Sequence, residues 1–385
     1  MISSEDRPKL PSSLAAHFAD LPDPRVERTR QHSLLDILTI AIVAVICGAE
    51  GWEDMEEFGE SKHEWLATFL SLKNGIPCAD TFRRVFAALN PDRFQNCFRN
   101  WIDTLAGSMA GKVVAVDGKT LRGSFDSAAK QSPLHMVHAW VADQHLLLGQ
   151  QATEEKSNEI TAIPRLLALL DLAGAVVTID AMGCQKKIAE TIVKQNADYV
   201  LALKGNQGTL HQEVVDFFAD AVNDPSEATP LSYCETTDGD HGRIEVRRVW
   251  STTDVDWFAD KSEWTNLNSL IMVESERTVG DKTSIEQRHY ISSVKGHDSA
   301  ALAKIIRSHW SVENHLHWTL DVAFNEDACR IRKDNGPENF SLLRRIALVL
   351  LKRDSKSKRG LAAKRRRAGW DLSFLLSVLT EGDKI

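Results

Sequence analysis

Three acidic side chains, far apart in the chain, have the chemistry and the positions of metal ligands. Asp117 follows the apolar run 113–116, and Asp180 follows a second apolar run, 176–179. Glu313 lies in a stretch that is rich in His and Trp. Carboxylates are the hard oxygen ligands that suit Mg²⁺ or Mn²⁺, and two such ions ~4 Å apart can assist both oxygens of a phosphodiester displacement. Two strand-end aspartates and a distant helical glutamate therefore predict an enzyme that holds two divalent metals and cuts nucleic acid.

Each acid also has a simpler explanation. Asp117-Gly118 is a common turn pair, and Asp180 could cap the helix that follows it. His309, Glu313 and His317 recur every fourth residue, so on a regular helix they share one face, which also suits zinc. The tight His-Glu-x-x-His pattern of zinc hydrolases is absent, and zinc would leave both aspartates unexplained.

Positive, imidazole and amide side chains near these acids could hold a nucleic-acid substrate, because such groups make most phosphate contacts. The candidates are Lys119, Arg122, Lys204, Asn206, Gln207, His241, Arg243, Arg307 and His309. Gly118-Lys119-Thr120 does not complete a P-loop, because the first glycine of that motif would fall at Val113.

Hydrophobic periodicity predicts the elements that must position these side chains. Residues 1–105 favour helices only, and the pair ending near Arg83 and Arg84 could be a helix-turn-helix or a plain packing domain. Residues 111–353 favour a mixed α/β sheet with helices on its faces. Strands are predicted over 113–117, 134–142, 146–150, 175–180 and 199–203, and helices over 158–172, 185–195, 210–222, 300–320 and 340–352.

A β-rich insertion is predicted at about 229–296, before the helix that carries Glu313. Its strands are expected over 244–250, 270–274 and 287–292, with turn residues between them. The last segment, 354–385, is predicted to be a basic tail with a short helix over 372–379.

Composition and charge narrow the class of protein. The 385 residues are 43% hydrophobic and 26% charged, which is typical of globular proteins with two or three domains. The net charge is −8, yet residues 344–367 hold eleven Lys and Arg against one acid, which favours either a phosphate-binding surface or a solvated helix face. Six cysteines show no CxxC spacing, no signal peptide opens the sequence, and the longest apolar stretch is too short to cross a bilayer. We therefore expect a cytoplasmic protein with reduced thiols and no membrane partner.

Five motifs, in order along the chain, carry a resemblance to a known family: residues 115–119, 155–160, 180–185, 203–207 and 309–322. They resemble the H-repeat-associated DDE transposases of bacterial insertion sequences. Residues 46–52 and 75–81 resemble the helical domain that accompanies the catalytic domain of that family.

The resemblance implies a ribonuclease H-like core with a β-rich insertion, and it implies that Asp117, Asp180 and Glu313 are the DDE triad. It also implies Mg²⁺-dependent cleavage and strand transfer of double-stranded DNA, at the terminal inverted repeats and at the target, with a homodimer expected on DNA. The wider clan often adds Tyr, Arg and Lys at fixed distances from the glutamate. Those positions are Ile306, His309 and Leu320 here, so the role of that Lys is not transferred. A metal-dependent nuclease without strand transfer and a catalytically silent DNA-binding remnant stay open as alternatives.

Overall fold

The computed structural model describes residues 12–126, 132–153, 159–224, 230–240, 242–296 and 298–381. The candidate His241 and residues 155–158 of the second motif lie outside the described residues.

A nine-stranded mixed sheet is formed by strands that lie between residues 113 and 292. Its strands are β1 (Val113–Leu121), β2 (Leu134–Val141), β3 (Leu146–Ala152), β4 (Val176–Ile179), β5 (Asp198–Leu203), β6 (Ser232–Asp240), β7 (Arg243–Thr252), β8 (Ser269–Val279) and β9 (Lys282–Ser292). The spatial order is β3-β2-β1-β4-β5-β9-β8-β7-β6. β1, β2 and β3 are antiparallel, whereas β1, β4 and β5 are parallel. These first five strands have the order and directions of the ribonuclease H-like fold, which confirms the predicted fold class.

The β-rich insertion extends the same sheet instead of forming a separate one. β9 pairs antiparallel with β5, and the hairpins β8–β9 and β6–β7 follow outward. Leu203 at the end of β5 lies opposite His289, while β9 begins seven residues earlier at Lys282. The two hairpins therefore project roughly 23 Å beyond the edge where β5 ends. We call this projection the β arm.

The N-terminal part is helical, as predicted. Its helices are α1 (Ser12–Ala19), α2 (Leu34–Cys47), α3 (Trp52–Ser61), α4 (His63–Leu66), α5 (Ala79–Ala88) and α6 (Pro91–Ala106). α2 is almost wholly apolar and is buried along its length, with Ser33 as its N-cap. Within the described residues no single helix is long and apolar enough to span a membrane. Among these residues, only α2 and α3 taken together have the required length and apolar composition, and a bend of 94° separates the two helices.

Helices cover both faces of the sheet. They are α7 (Glu159–Leu167), α8 (Lys186–Lys194), α9 (Thr209–Asn223), α10 (Ser299–His309), α11 (Trp318–Phe324), α12 (Gly336–Arg353), α13 (Leu361–Trp370) and α14 (Leu372–Glu381). α10 packs on β1, β4 and the base of the insertion. A hydrophobic cluster that includes Val200, Ile271, Leu302 and Ile306 fills this contact.

The C-terminal segment is not the basic tail that the sequence predicted. α12 and α13 pack against α2, and α14 packs on α12 and α13, so the two ends of the chain build one helical layer. Arg344, Arg345, Lys364 and Arg365 are all buried. Four of the eleven basic residues in 344–367 are therefore part of the protein interior, while others, such as Arg366 and Arg367, are exposed.

Candidate active site

The sheet register places Asp117 and Asp180 next to each other. In the parallel pair of β1 and β4, Val116 lies opposite Ile179, so the next residue along each chain is an aspartate. β1 continues past Asp117 to Leu121, still paired with β2. The prediction that Asp117 ends its strand is therefore wrong, whereas Asp180 does follow the last residue of β4. Asp117 lies where β1 loses its parallel neighbour, and at such an edge a ligand can approach the sheet.

Asp180 also caps the turn that follows it. Its Oδ1 accepts hydrogen bonds from the backbone N–H groups of Met182 (3.1 Å) and Gly183 (3.3 Å). These bonds start the 3₁₀ turn Ala181–Gly183. Capping and metal binding are compatible, because both bonds use Oδ1 and Oδ2 remains for a cation.

Glu313 opens a π-helical turn and does not lie in one long helix. α10 ends at His309, the π turn spans Glu313–His317, and α11 follows it directly. The wider turn rotates the residues that follow it, so His309, Glu313 and His317 do not form one stripe. Nδ1 of His309 lies 3.1 Å from Oγ1 of Thr178, whereas His317 approaches Asp117. The arrangement required for a zinc ion held by His309, Glu313 and His317 is therefore absent.

The acids of the site act on one another electrostatically. Burial, followed by the negative charges of Glu159, Asp180 and Glu313, raises the pKa of Asp117 to about 7. Burial and the charge of Glu159 also raise the pKa of Asp180, against the opposing effect of the positive charge of Lys204. Partly buried carboxylates that repel one another favour binding of a cation, because a cation offsets both the burial and the repulsion.

This donor set fits a divalent ion that is bound through few protein ligands. Among the described residues, no group of three or more His, Cys, Asp and Glu side chains is already closed around a metal position. Asp117 and Asp180 are adjacent, while Glu313 is exposed on its π turn and acts on Asp117 through its charge. Mg²⁺ commonly takes only one or two protein carboxylates and completes its shell with water and phosphate. The three acids are therefore suitable ligands for Mg²⁺ or Mn²⁺.

A fourth acid, Glu159, belongs to the site and was not assigned from the sequence. Its Oε1 lies 2.7 Å from Nε2 of His135, and Nδ1 of His135 lies 2.8 Å from Oγ1 of Thr120. A Cβ at Gly118 would lie 2.2 Å from Oε1 of Glu159 and 2.5 Å from Nε2 of His135. Residue 118 is thus a glycine because Glu159 and His135 occupy the space that a side chain would fill. The chain does not turn at this position. Its signal in the sequence was the motif at 155–160, which ends beside Glu159.

Lys119 was predicted to contact phosphate, but in the structure its ammonium contacts two carboxylates. Its ammonium donates to Asp321 (2.8 Å) and Asp327 (3.0 Å), and only 8% of the side chain is exposed. Its charge is therefore already neutralised by two carboxylates. We call this contact the Lys119 clamp, because it ties β1 to α11 and to the turn that follows.

Asn206 and Gln207 also serve a structural purpose that differs from the predicted substrate contact. The amide of Asn206 donates to the carbonyl of Ala181 (2.9 Å), and the amide of Gln207 donates to the carbonyl of Cys184 (2.8 Å). Both bonds hold the loop that begins at Asp180. Lys204 is exposed next to them, and its charge reaches Asp180.

The remaining residues predicted to contact phosphate differ in their exposure and in whether they already have a partner. Burial lowers the pKa of His309 to about 4, so a protonated His309 is not available to hold phosphate near neutral pH. Arg307 forms an ion pair with Asp238 on the β arm. Arg122 reaches Asp327 at 3.4 Å, but 82% of its side chain is exposed. Arg243 is exposed at the tip of the β arm.

Basic residues that were not predicted lie just beyond the Lys119 clamp. Arg330 and Lys333 are exposed and line a cleft of about 460 Å³ together with Arg83 and the acids Glu50 and Glu53. Arg332 lies over the ring of Phe125 at 5.0 Å, which fixes this segment beside the end of β1. Their isolated positions in the sequence carried no signal, because only the fold brings this segment beside the end of β1.

Comparison with known proteins gives the family of this chain. Residues 109–350 match the family model described as "Transposase DDE domain", and residues 15–102 match "DDE_Tnp_1-associated". The chain belongs to the DDE transposase family. It is 43% identical to "H repeat-associated putative transposase YhhI" of Escherichia coli K12 over 95% of this chain and 97% of the relative. It is 40% identical to "Putative transposase YncI" of Escherichia coli O157:H7 over 95% and 94% of the two chains.

One solved structure is a more distant match. The piggyBac transposase, in a synaptic complex with hairpin DNA, aligns with a TM-score of 0.42 and 11% identity, covering 94% of this chain and 76% of the other. The family membership confirms the resemblance seen in the five motifs.

Proposed function

We propose that this DDE transposase cuts DNA at the ends of an insertion element and joins the freed 3′-hydroxyl to target DNA. The observation that carries the proposal is the adjacency of Asp117 and Asp180 at an open sheet edge, where Glu313 and Glu159 add negative charge. Such a concentration of acids would repel a DNA phosphate unless cations were bound between them. The family membership supports the same reading.

Asp117, Asp180 and Glu313 are the ligands that we assign to Mg²⁺ or Mn²⁺, with two ions in the complete site. When bound, these ions would activate the attacking oxygen and stabilise the leaving oxygen of an in-line displacement.

The rest of the chain positions these ligands. Asn206 and Gln207 hold the loop of Asp180, and the Lys119 clamp holds α11 against β1. The contacts thus support each acid from an element other than its own, which limits movement of the ligands during the reaction.

Phosphate contacts are assigned to four exposed basic side chains. They are Arg122, Lys204, Arg330 and Lys333. Arg243 would contact DNA from the β arm. We propose that the N-terminal helices bind DNA. We also propose that two copies of the chain assemble on DNA, because joining two element ends uses two active sites.

The test is cleavage of DNA that bears the native flanks of the reading frame. Asp180→Asn keeps an oxygen that can accept the bonds from Met182 and Gly183, so the loop should stay folded. We expect this variant to bind DNA like the wild type and to lose metal-dependent cleavage. Asp220→Asn, an exposed acid on α9, is the matched control and should cleave normally.

The same assay separates the alternatives. Joining of pre-cleaved ends to a second DNA would support strand transfer, whereas cleavage without joining would identify a nuclease. DNA binding without any cleavage by the wild type would identify a silent remnant and would overturn the proposal.

A further inference from the structure

A line of buried polar side chains leads from the protein interior to Asp117. Glu326 accepts a hydrogen bond from Nη2 of Arg345 at 3.0 Å, and the same nitrogen lies 3.1 Å from Nε2 of His138. Nδ1 of His138 lies 3.3 Å from Nε2 of His317, and Nδ1 of His317 lies 3.6 Å from Oδ2 of Asp117. Glu326, Arg345 and His138 are each 0% exposed. We call this line the histidine chain.

The elements that supply the histidine chain meet only in the folded protein. His138 on β2 lies directly opposite Asp117 across the antiparallel pair with β1. Arg345 comes from α12, and His317 is the last residue of the π turn that Glu313 opens. The π turn thus presents His317 to Asp117 while it carries the third acid.

The chemistry of arginine sets the direction of the hydrogen bonds between the rings of the histidine chain. A guanidinium has N–H donors and no acceptor, so the nitrogen that it faces, Nε2 of His138, must be unprotonated. Burial, followed by the charge of Arg345, keeps the pKa of His138 well below its usual value, so the ring is neutral and carries its proton on Nδ1. That N–H donates to Nε2 of His317.

The same argument then applies to His317. Because Nε2 of His317 accepts the Nδ1–H of His138, that nitrogen carries no proton, and the single proton of the ring is on Nδ1. This N–H faces Oδ2 of Asp117. The reverse direction would need a proton on Nε2 of His138, which would then face the donor of Arg345.

We propose that Arg345, His138 and His317 are positioning residues that fix the Nδ1–H tautomer of His317, so that it donates to Oδ2 of Asp117 and leaves Oδ1 to face the metal. The proposal rests on the metal-binding role assigned to Asp117. The separation of 3.6 Å is longer than a hydrogen bond, and such bonds commonly shorten only when the site is loaded. Hydrogen bonds that orient a ligand from behind are a general feature of metal sites.

The direct test is the tautomer of each ring in the metal-free protein. Long-range ¹H–¹⁵N spectra of ¹⁵N-histidine-labelled protein distinguish Nδ1–H, Nε2–H and doubly protonated rings. The His138→Gln and His317→Gln variants assign the signals. We expect both rings to be neutral Nδ1–H tautomers between about pH 6 and pH 8. An Nε2–H tautomer or a doubly protonated ring at His317 would overturn the proposal. This readout needs neither DNA nor activity, so it can fail or succeed independently of the proposed function.

A pair of variants tests the consequence for metal binding. The amide nitrogen of Asn at position 317 can take the place of Nδ1, whereas that of Gln can take the place of Nε2. We expect His317→Gln to weaken Mn²⁺ binding, measured by electron paramagnetic resonance, by roughly 10–100-fold, and His317→Asn to restore most of it. Equal binding by both variants, with unfolding midpoints that match the wild type, would contradict the proposal.

Discussion

Asp117 has an environment that opposes its charge in the absence of a cation. Its folded-state pKa is about 7, against an ordinary value of 3.8, because burial and three neighbouring acids disfavour the ionised form. The folded state therefore holds a proton that the unfolded chain releases at lower pH. Since the folded state binds more protons between about pH 4 and pH 7, its free energy of unfolding falls as the pH rises through this range.

Asp117→Asn should remove this pH-dependent loss of stability. At pH 8, without divalent metal, we expect the variant to exceed the wild type in free energy of unfolding by on the order of 1–4 kcal/mol, since each unit of pKa shift corresponds to about 1.4 kcal/mol. Near pH 4 the difference should vanish. Urea unfolding in EDTA at both values measures it. If the difference in unfolding free energy between the variant and the wild type is the same at pH 4 and pH 8, Asp117 is not held in this environment.

Gly118 makes a second test at a single position. Because an added Cβ would overlap the contact of Glu159 with His135, Gly118→Ala should cost about 1–2 kcal/mol of unfolding free energy. Gly205→Ala is the matched control, since no atom lies within 4 Å of the Cβ it would add. In a background that carries both Glu159→Ala and His135→Ala, most of the cost of Gly118→Ala should disappear, because both side chains lie close to the added Cβ. If the cost stays the same in that background, Glu159 and His135 are not what fills the space.

At this scale the sequence predicted which acids lie near one another better than it predicted which partners the basic side chains have. Asp117, Asp180 and Glu313 were found from their types and from the apolar runs before the two aspartates. Lys119 was expected at phosphate, but Asp321 and Asp327, about two hundred residues further on, take its charge. No local pattern encodes such a pairing.

At the element scale, the junction between α10 and α11 decides the geometry of the site. A π turn replaces one long helix, and the Lys119 clamp holds the following helix on β1. The clamp therefore sets where Glu313 and His317 lie relative to Asp117.

Lys119→Met should loosen this junction. It leaves the two carboxylates of Asp321 and Asp327 without their shared cation, so we expect a loss of roughly 2 kcal/mol in unfolding free energy. We also expect faster amide hydrogen exchange in α11. Lys304→Met, an exposed lysine on α10, should change neither quantity. Unchanged exchange in α11 of the Lys119 variant would contradict the role of the clamp.

Periodicity recovered most elements because most have one apolar face. β2 to β5 were predicted within two residues of their observed bounds, whereas β1 continues to Leu121 instead of ending at residue 117, and α7 ends at Leu167 instead of residue 172. β6 was missed because its second half, residues 236–240, is polar and acidic and shows no apolar alternation. The strand lies at the outer edge of the sheet, where it pairs only with β7. α13 was missed because its core-facing residues include Lys364 and Arg365, which a reading by apolar spacing places outside.

At the scale of the whole molecule, the two ends of the chain stabilise each other. Arg365 on α13 donates to the carbonyl of Val45 on α2 (2.8 Å) and also to that of Ala323 at the end of α11, and its guanidinium lies over the ring of Phe324 at 4.3 Å. One buried arginine thus joins the N-terminal helices, the C-terminal helices and the catalytic domain. The sequence could show the charge but not this contact, which spans more than three hundred residues.

Arg365 and its neighbour Arg366 provide a matched comparison. Arg365→Met should lower the thermal unfolding midpoint by several degrees, because two backbone carbonyls lose their donor. Arg366 is exposed, and Arg366→Met should leave the midpoint unchanged. Equal midpoints for the two variants would show that the C-terminal segment does not stabilise the helical layer.

If Asp117, Asp180 and Glu313 hold the metal used for DNA cleavage, as we propose, a change of one ligand should change the metal preference of the reaction. A thiolate is a soft ligand that binds Mg²⁺ poorly and Mn²⁺ better. Cleavage of DNA with native flanks by Asp180→Cys is measured in Mg²⁺ and in Mn²⁺, with Asp180→Ser as the control. We predict that the Cys variant is inactive in Mg²⁺ and regains cleavage in Mn²⁺, while the Ser variant stays inactive in both. Cleavage by the Cys variant that is the same in the two metals would contradict the account.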